Sequence, residues 1–302
     1  MAERRPHVAM LADGRRLHMQ DGPIDLVIEA YGPAGEITHA YGAAAMRFHG
    51  LLDELCGELH ELRSPVRLGS GSLVGPVARR MRAAVLPFAA VNFITPMAAV
   101  AGAVAEEILG AMRGAARLDK AYVNNGGDIA LYLASGETFA IGLIDRPDAP
   151  SLFGTAIIGA EDGITGIATS GWRGRSFSLG IADAVTVLAA TAAEADAAAT
   201  VIANAVDLPG HPGVVRQPAS SLQPDSDLRD LLVTRSVPPL SAAEIELALA
   251  AGARRARQLA EHGQIAAAAL HLQGRTWTAG ILRPSPNARP LPSLAIQDTC
   301  HA

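Results

Sequence analysis

The sequence predicts an α+β fold, with long helices and antiparallel hairpins following one another without the strict strand–helix alternation of a doubly wound sheet. Three observations carry that expectation. The chain opens on turn-punctuated alternation, it then switches to helical periodicity, and its middle is a block of short strands bracketed by helical stretches.

Each element follows from local chemistry. Residues 8–30 read as strands joined at Asp13-Gly14 and Asp21-Gly22-Pro23, with Ile24, Leu26 and Ile28 alternating with Asp25, Val27 and Glu29. Over 38–63 the period becomes helical: Phe48, Leu51, Leu52, Leu55, Leu59 and Leu62 form one stripe, and Pro65 ends it. Further helices are expected over 77–85 and, alanine-rich, from Pro96 to about Met112. Strands should then occupy 121–124, 128–133, 138–144, 155–158, 164–169 and 184–189, followed by a helix over 193–206. The stretch 207–239, rich in Pro, Ser and Asp, reads as a connection. Ser241 and Glu244 form a capping box for a helix reaching about His262. A hairpin around Gly274 (266–272 with 276–282) closes the pattern, and a proline-containing tail covers 283–302. The expected organisation is one domain over 1–282 plus that tail.

Composition narrows the function classes. The 302 residues are 49% hydrophobic, enough for a large core. A net charge of −5 and the absence of a basic patch speak against nucleic acid as a partner. Cys56 and Cys300 are two distant cysteines, which is neither a disulfide framework nor a zinc site. The first residues are basic without a sustained apolar run, so a cytoplasmic location is expected. Residues 83–105 carry no charge and have the length of a membrane span. Pro87, Asn92, Thr95 and Pro96 interrupt them, and Thr95-Pro96 reads as the start of a new helix, so a buried loop and helix start is expected and no membrane span. The apolar content is compatible with a homodimer.

Chemistry-bearing residues concentrate between 124 and 200. Asp196 and Thr200 lie four apart on a helix, hence one turn apart on one face. A carboxylate and a hydroxyl so stacked make half of a site for a hard cation such as Mg²⁺, which takes few protein oxygens and completes its shell with water or phosphate. The alternative is a dipole-favoured Asp196 with Thr200 bonded back to its carbonyl. Asn124-Asn125-Gly126-Gly127-Asp128 is either a hairpin turn or a nest of N–H groups for an anion. Thr169-Ser170-Gly171, followed by Trp172, Arg173 and Arg175, has the parts of a phosphate clamp with a stacking surface, or is a solvated loop. Gly69, Gly71 and Gly75 only loosely resemble a dinucleotide fingerprint, and a helix–helix loop fits them better.

Taken together, AVAGAVAE (99–106), VNNGGDIAL (123–131), ATSG (168–171) and ADAAAT (195–200) resemble the ApbE superfamily, the FAD:protein FMN transferases. Residues 13–30, 95–106 and 171–189 look like signatures of an uncharacterised ApbE-like branch, and extend the resemblance over most of the chain. The resemblance implies an ApbE-like, T-fold-related architecture and FAD or FMN as substrate or ligand. Asp196 and Thr200 would hold Mg²⁺, and Gly126, Gly127, Asp128, Thr169, Ser170 and Gly171 would line the nucleotide site. The reading of the residues themselves adds Asn125, Trp172, Arg173 and Arg175 to that site, with Asp183 as a guess for the general base. Two departures stand out. The family's Lys-Gly-Tyr-Ala run is here Ala101-Gly102-Ala103-Val104, and the segment 172–183 has no counterpart of its catalytic histidine. The expected function is therefore a Mg-dependent flavin-nucleotide binding protein acting as an FMN transferase, with a protein acceptor, or as a FAD pyrophosphatase. The alternatives are a non-catalytic flavin-binding or delivery protein, and an enzyme for another small heterocyclic metabolite on the same scaffold.

Overall fold

A computed structural model describes residues 6–67, 73–144 and 152–280. Gly69, Gly71, Cys300 and the tail beyond 280 lie outside them.

The N-terminal alternation forms β1 (His7–Met10), β2 (Leu17–Asp21) and β3 (Ile24–Tyr31). In β3, Ile24, Leu26 and Ile28 are buried, as the period of two requires. The single helix expected over 38–63 is three: α1 (Ala34–Phe48), α2 (Leu51–Gly57) and α3 (Leu59–Leu62). Gly50 in the left-handed region breaks the first from the second, and the leucine stripe continues across the break because the same core receives it. α4 (Pro76–Val85) follows. Thr95 then opens a 3₁₀ turn (Pro96–Ala99) leading into α5 (Val100–Ala115). Its hydroxyl donates to Asp227 at 2.5 Å and leaves the turn's N–H groups alone. Among the described residues no helix is long and apolar enough to cross a membrane.

The central block is β4 (Lys120–Asn125), β5 (Asp128–Leu133), β6 (Thr138–Ile144), β7 (Leu152–Gly159), β8 (Gly166–Ser170) and β9 (Ala184–Ala189), then α6 (Ala192–Ala205). The expected connection at 207–239 is more structured than its composition suggests. It carries β10 (Val215–Pro218), a turn of helix α7 (Ala219–Leu222) and β11 (Leu232–Ser236), the two strands paired as a separate ribbon. The capping box at Ser241 and Glu244 starts α8 (Ala242–Glu261), and β12 (Ala267–Leu272) and β13 (Arg275–Gly280) form the terminal hairpin.

Nine strands make one sheet in the order β1-β2-β3-β4-β5-β8-β9-β12-β13, and every pairing in it is antiparallel. The fold class is thus α+β, with an antiparallel sheet and packed helices. α5 packs on β4 and β5, α6 on β8 and β9, and α8 on β12 and β13, all on one face. The β6–β7 hairpin covers the middle of the other face, closing a smaller core of Leu131, Ile158, Ile167 and Leu188.

Candidate functional site

The sequence-predicted residues gather where the helix-covered face of the sheet ends. β4 and β5 meet there through a two-residue hairpin, Asn125 paired with Asp128. Gly126 and Gly127 both have positive φ, at 66° and 114°, which the hairpin requires. The N–H of Gly127 donates to Asn124 Oδ1 at 2.8 Å, so of the two readings of this turn the hairpin is the one built, with that donor already used. The Asn125 side chain is buried and donates to the carbonyl of Ala101, tying the turn to the start of α5 at 3.2 Å.

α5 and α6 meet at their first turns. A Cβ added at Gly102 would lie 2.2 Å from the carbonyl oxygen of Ala192, so only glycine permits this approach. The positive ends of two helix dipoles therefore come together, and each is met by a carboxylate from the other helix. Asp196 Oδ2 of α6 accepts from Gly102 N–H at 3.0 Å, with Ala101 N–H also contributing. Glu106 Oε1 of α5 accepts from Ala193 N–H at 2.7 Å. Glu106 is in turn ion-paired with Arg80 at 2.9 Å, and Arg80 with Glu107 at 3.0 Å. Glu106 was not foreseen, although a signal existed: it is the first charge after the uncharged run 83–105.

Asp196 has a second acid for a neighbour. Burial pushes its carboxyl well above the usual carboxylate range, the charge of Asp128 adds to the effect, and the two N–H groups of α5 oppose it. Burial likewise pushes Asp128 up to about 7, against the pull of the Thr169 N–H, which donates to its Oδ1 at 3.1 Å. Among the described residues neither acid has a Lys, Arg or His partner, and no group of three or more His, Cys, Asp or Glu side chains could hold a metal. Thr200 is half-buried on the next turn of α6, and no hydrogen bond of its hydroxyl occurs among the described residues, so the bond back to the Asp196 carbonyl that the alternative reading required is not made there.

The loop after β8 is held differently. Asp183, only 3% exposed, accepts from three donors: Trp172 Nε1 at 3.1 Å, Arg173 Nε at 2.6 Å and the backbone N–H of Gln273 at 2.6 Å. The Arg173 guanidinium also lies 4.4 Å from the Trp172 ring centroid. The indole and this arginine are thus engaged with Asp183 and each other. Arg175 is exposed, and its Nη1 rests 2.9 Å from where a Cβ of Gly126 would be. Of the Thr169-Ser170-Gly171 turn, Thr169 turns its hydroxyl to Thr186 at 2.9 Å, and only its backbone N–H serves the Asp128 side. Gln273 was missed; nothing local in the sequence marks it beyond the turn at Gly274.

A cavity of about 160 Å³ lies along α5, lined by Arg80, Glu106, Arg113, Thr165 and Thr191 among others, and includes none of the candidate cation- or nucleotide-binding residues named from the sequence.

The family model described as AbpE bacteria matches residues 8–278, nearly the whole of the described chain. The chain belongs to that family. Similar proteins in archaea carry the name UPF0280. One from Methanopyrus kandleri is 42% identical over 142 residues, 46% of this chain and 52% of the relative. One from Methanothermobacter thermautotrophicus is 35% identical over 175 residues, 54% and 65% respectively. The chain spans about half the length of the first of these relatives. Among solved structures, the apo crystal structure of the Pseudomonas stutzeri flavinyl transferase ApbE is similar over 94% of this chain and 96% of that one, at 12% identity and a TM-score of 0.40.

Proposed function

We propose that this protein binds a flavin nucleotide, FAD or FMN, together with Mg²⁺, at the junction of the β4–β5 turn, the α5 and α6 N-termini and the loop after β8, and acts at the phosphates. The single observation that carries this reading is the Asp128–Asp196 pair: two acids close enough for the charge of one to act on the other, with no cationic side chain among the described residues to neutralise them. Such a pair is costly alone and suits a divalent cation. The donor set fits Mg²⁺ in kind, being all oxygen and few in number. Asp196 and Thr200 would hold the cation, with Asp128 beside them, and its charge would offset that of a pyrophosphate as the leaving group departs. Arg175 is the arginine left to meet a phosphate, since Arg173 is committed to Asp183. Asp183, saturated by three donors, is assigned here to holding the loop instead of to proton transfer. The family membership supports the flavin part of the reading. In the transfer form, an acceptor hydroxyl on a protein attacks the FMN-side phosphorus, the bond to AMP breaks, and AMP leaves. In the pyrophosphatase form, water takes the acceptor's place.

One observation favours a second reading, flavin binding or delivery without turnover. The first turn of α5 is Ala101-Gly102-Ala103-Val104, with the last three buried, so it presents no lysine or phenol to a ligand. The loop 172–183 adds no histidine. Incubation with FAD and Mg²⁺, followed by separation of the nucleotides, distinguishes the readings. The first expects AMP that requires Mg²⁺ and is lost in Asp196→Asn. The second expects saturable flavin binding without AMP. If neither occurs, the flavin reading fails, and another heterocyclic metabolite becomes the ligand class to screen.

A further inference from the structure

The loop that carries Arg175 is fixed from outside itself. Gly174 N–H bonds the carbonyl of Gly171 at 3.0 Å and Trp172 N–H bonds that of Ala182 at 3.0 Å, so 171–174 is a closed turn stitched to the segment entering β9. Asp183, at the end of that segment, grips the turn through Trp172 and Arg173. Its other oxygen is taken by the N–H of Gln273, a non-glycine residue at φ 42°. The two-residue hairpin turn Gln273-Gly274, with φ of 42° and 82°, requires that conformation, and the Gln273 side chain is tied down by two more bonds. Gln273 Oε1 accepts from Leu240 N–H at 2.9 Å, and its Nε2 donates to the carbonyl of Pro238 at 2.7 Å. The terminal hairpin and the linker before α8 thereby reach, through one buried carboxylate, a turn that ends one residue before Arg175.

We infer that Asp183 is a positioning residue, which sets the Arg173 turn so that the Arg175 guanidinium is delivered to the Gly126–Gly127 hairpin, where it meets the phosphate of a bound nucleotide. This rests on the proposed phosphate-binding role of the site. Arg173 and Trp172 belong to the mount, Arg175 is the contact, and Gln273, in the turn of the terminal hairpin, is the anchor.

The test is a double-mutant cycle on the full chain, reading affinity for FMN in the presence of Mg²⁺, with melting temperature recorded separately. Arg175→Ala is expected to weaken FMN about tenfold or more, the loss of one charge-assisted bond. Asp183→Asn keeps the shape and an acceptor but loses the pairing with Arg173, and is expected to weaken FMN by a similar factor. In the Arg175→Ala background, Asp183→Asn should add little, because the contact it positions is gone. A melting-temperature loss in Asp183→Asn with full, independent additivity in affinity would overturn the inference while leaving the flavin reading intact. An Arg175→Ala variant that binds FMN as tightly as the parent would also overturn it. A parent that binds no FMN at all sinks the underlying reading instead. Should Asp183→Asn fail to fold, Arg173→Gln replaces it in the cycle with the same expectations.

Discussion

Asp183 and Asp196 are two aspartates in apolar surroundings, and the fold treats them in opposite ways. Asp183 is surrounded by donors: an arginine, an indole N–H and a backbone N–H. Asp196 receives backbone N–H groups from the start of α5, but the charge that acts on it is that of another acid, Asp128. The first arrangement satisfies a carboxylate and spends its capacity on holding a loop. The second sets two acids against each other, so that both hold their protons more tightly, and this is the arrangement that the proposed cation would relieve. A buried charge is therefore informative only together with its partners.

The largest effect should separate the two acids by stability. Asp183→Ala removes the buried acceptor shared by Arg173, Trp172 and the Gln273 N–H, and is expected to cost about 3–5 kcal/mol in urea unfolding. Asp196→Ala loses a cap worth about 1 kcal/mol and also removes repulsion with Asp128, so its net cost should be much smaller. Equal costs would break the contrast. Next comes Gly102→Ala, whose methyl group meets the Ala192 carbonyl at the α5–α6 contact. It should destabilise by about 1–3 kcal/mol, as overpacking does, and should lower Mg²⁺ affinity because it moves Asp196 away from α5.

The pH dependence sharpens the contrast further. Asp128 keeps its proton in the folded chain up to about 7, whereas an ordinary aspartate loses it near 3.8. Between those values the folded state binds more protons than the unfolded one, so this group's contribution to stability falls as pH rises from about 4 to about 7. Asp128→Asn should flatten that part of the melting profile, and Mg²⁺ should raise the melting temperature most at the alkaline end, where no proton competes with it. The smallest effect on stability is expected from Thr200→Val, within about 0.5 kcal/mol. Isothermal titration should nevertheless show weaker Mg²⁺ binding; unchanged affinity would remove Thr200 from the cation site.

Much of the fold was legible. The alternation in β3, the start at Thr95-Pro96, the capping box at Ser241 and Glu244 and the glycine hairpin between β4 and β5 are all local devices, readable because a turn or a helix end is decided within a few residues. The break at Gly50 was hidden because the leucines on both sides keep facing the same core, so their period runs on through the interruption. The ribbon within 207–239 was hidden by its polar composition, since a half-exposed pair of short strands has little apolar signal to give.

By itself the sequence determined which elements form, which face of each is apolar, and that Asp196 and Thr200 share one side of a helix, because spacing and propensity act over a few residues. Only the tertiary structure decided what each charge meets. Asp128 reaches Asp196, Glu106 reaches Ala193, and Gln273 reaches Asp183 from the far end of the chain. Those encounters depend on strand order and on how closely two helices approach, and electrostatic energy depends on distance in space, to which separation along the chain gives no guide.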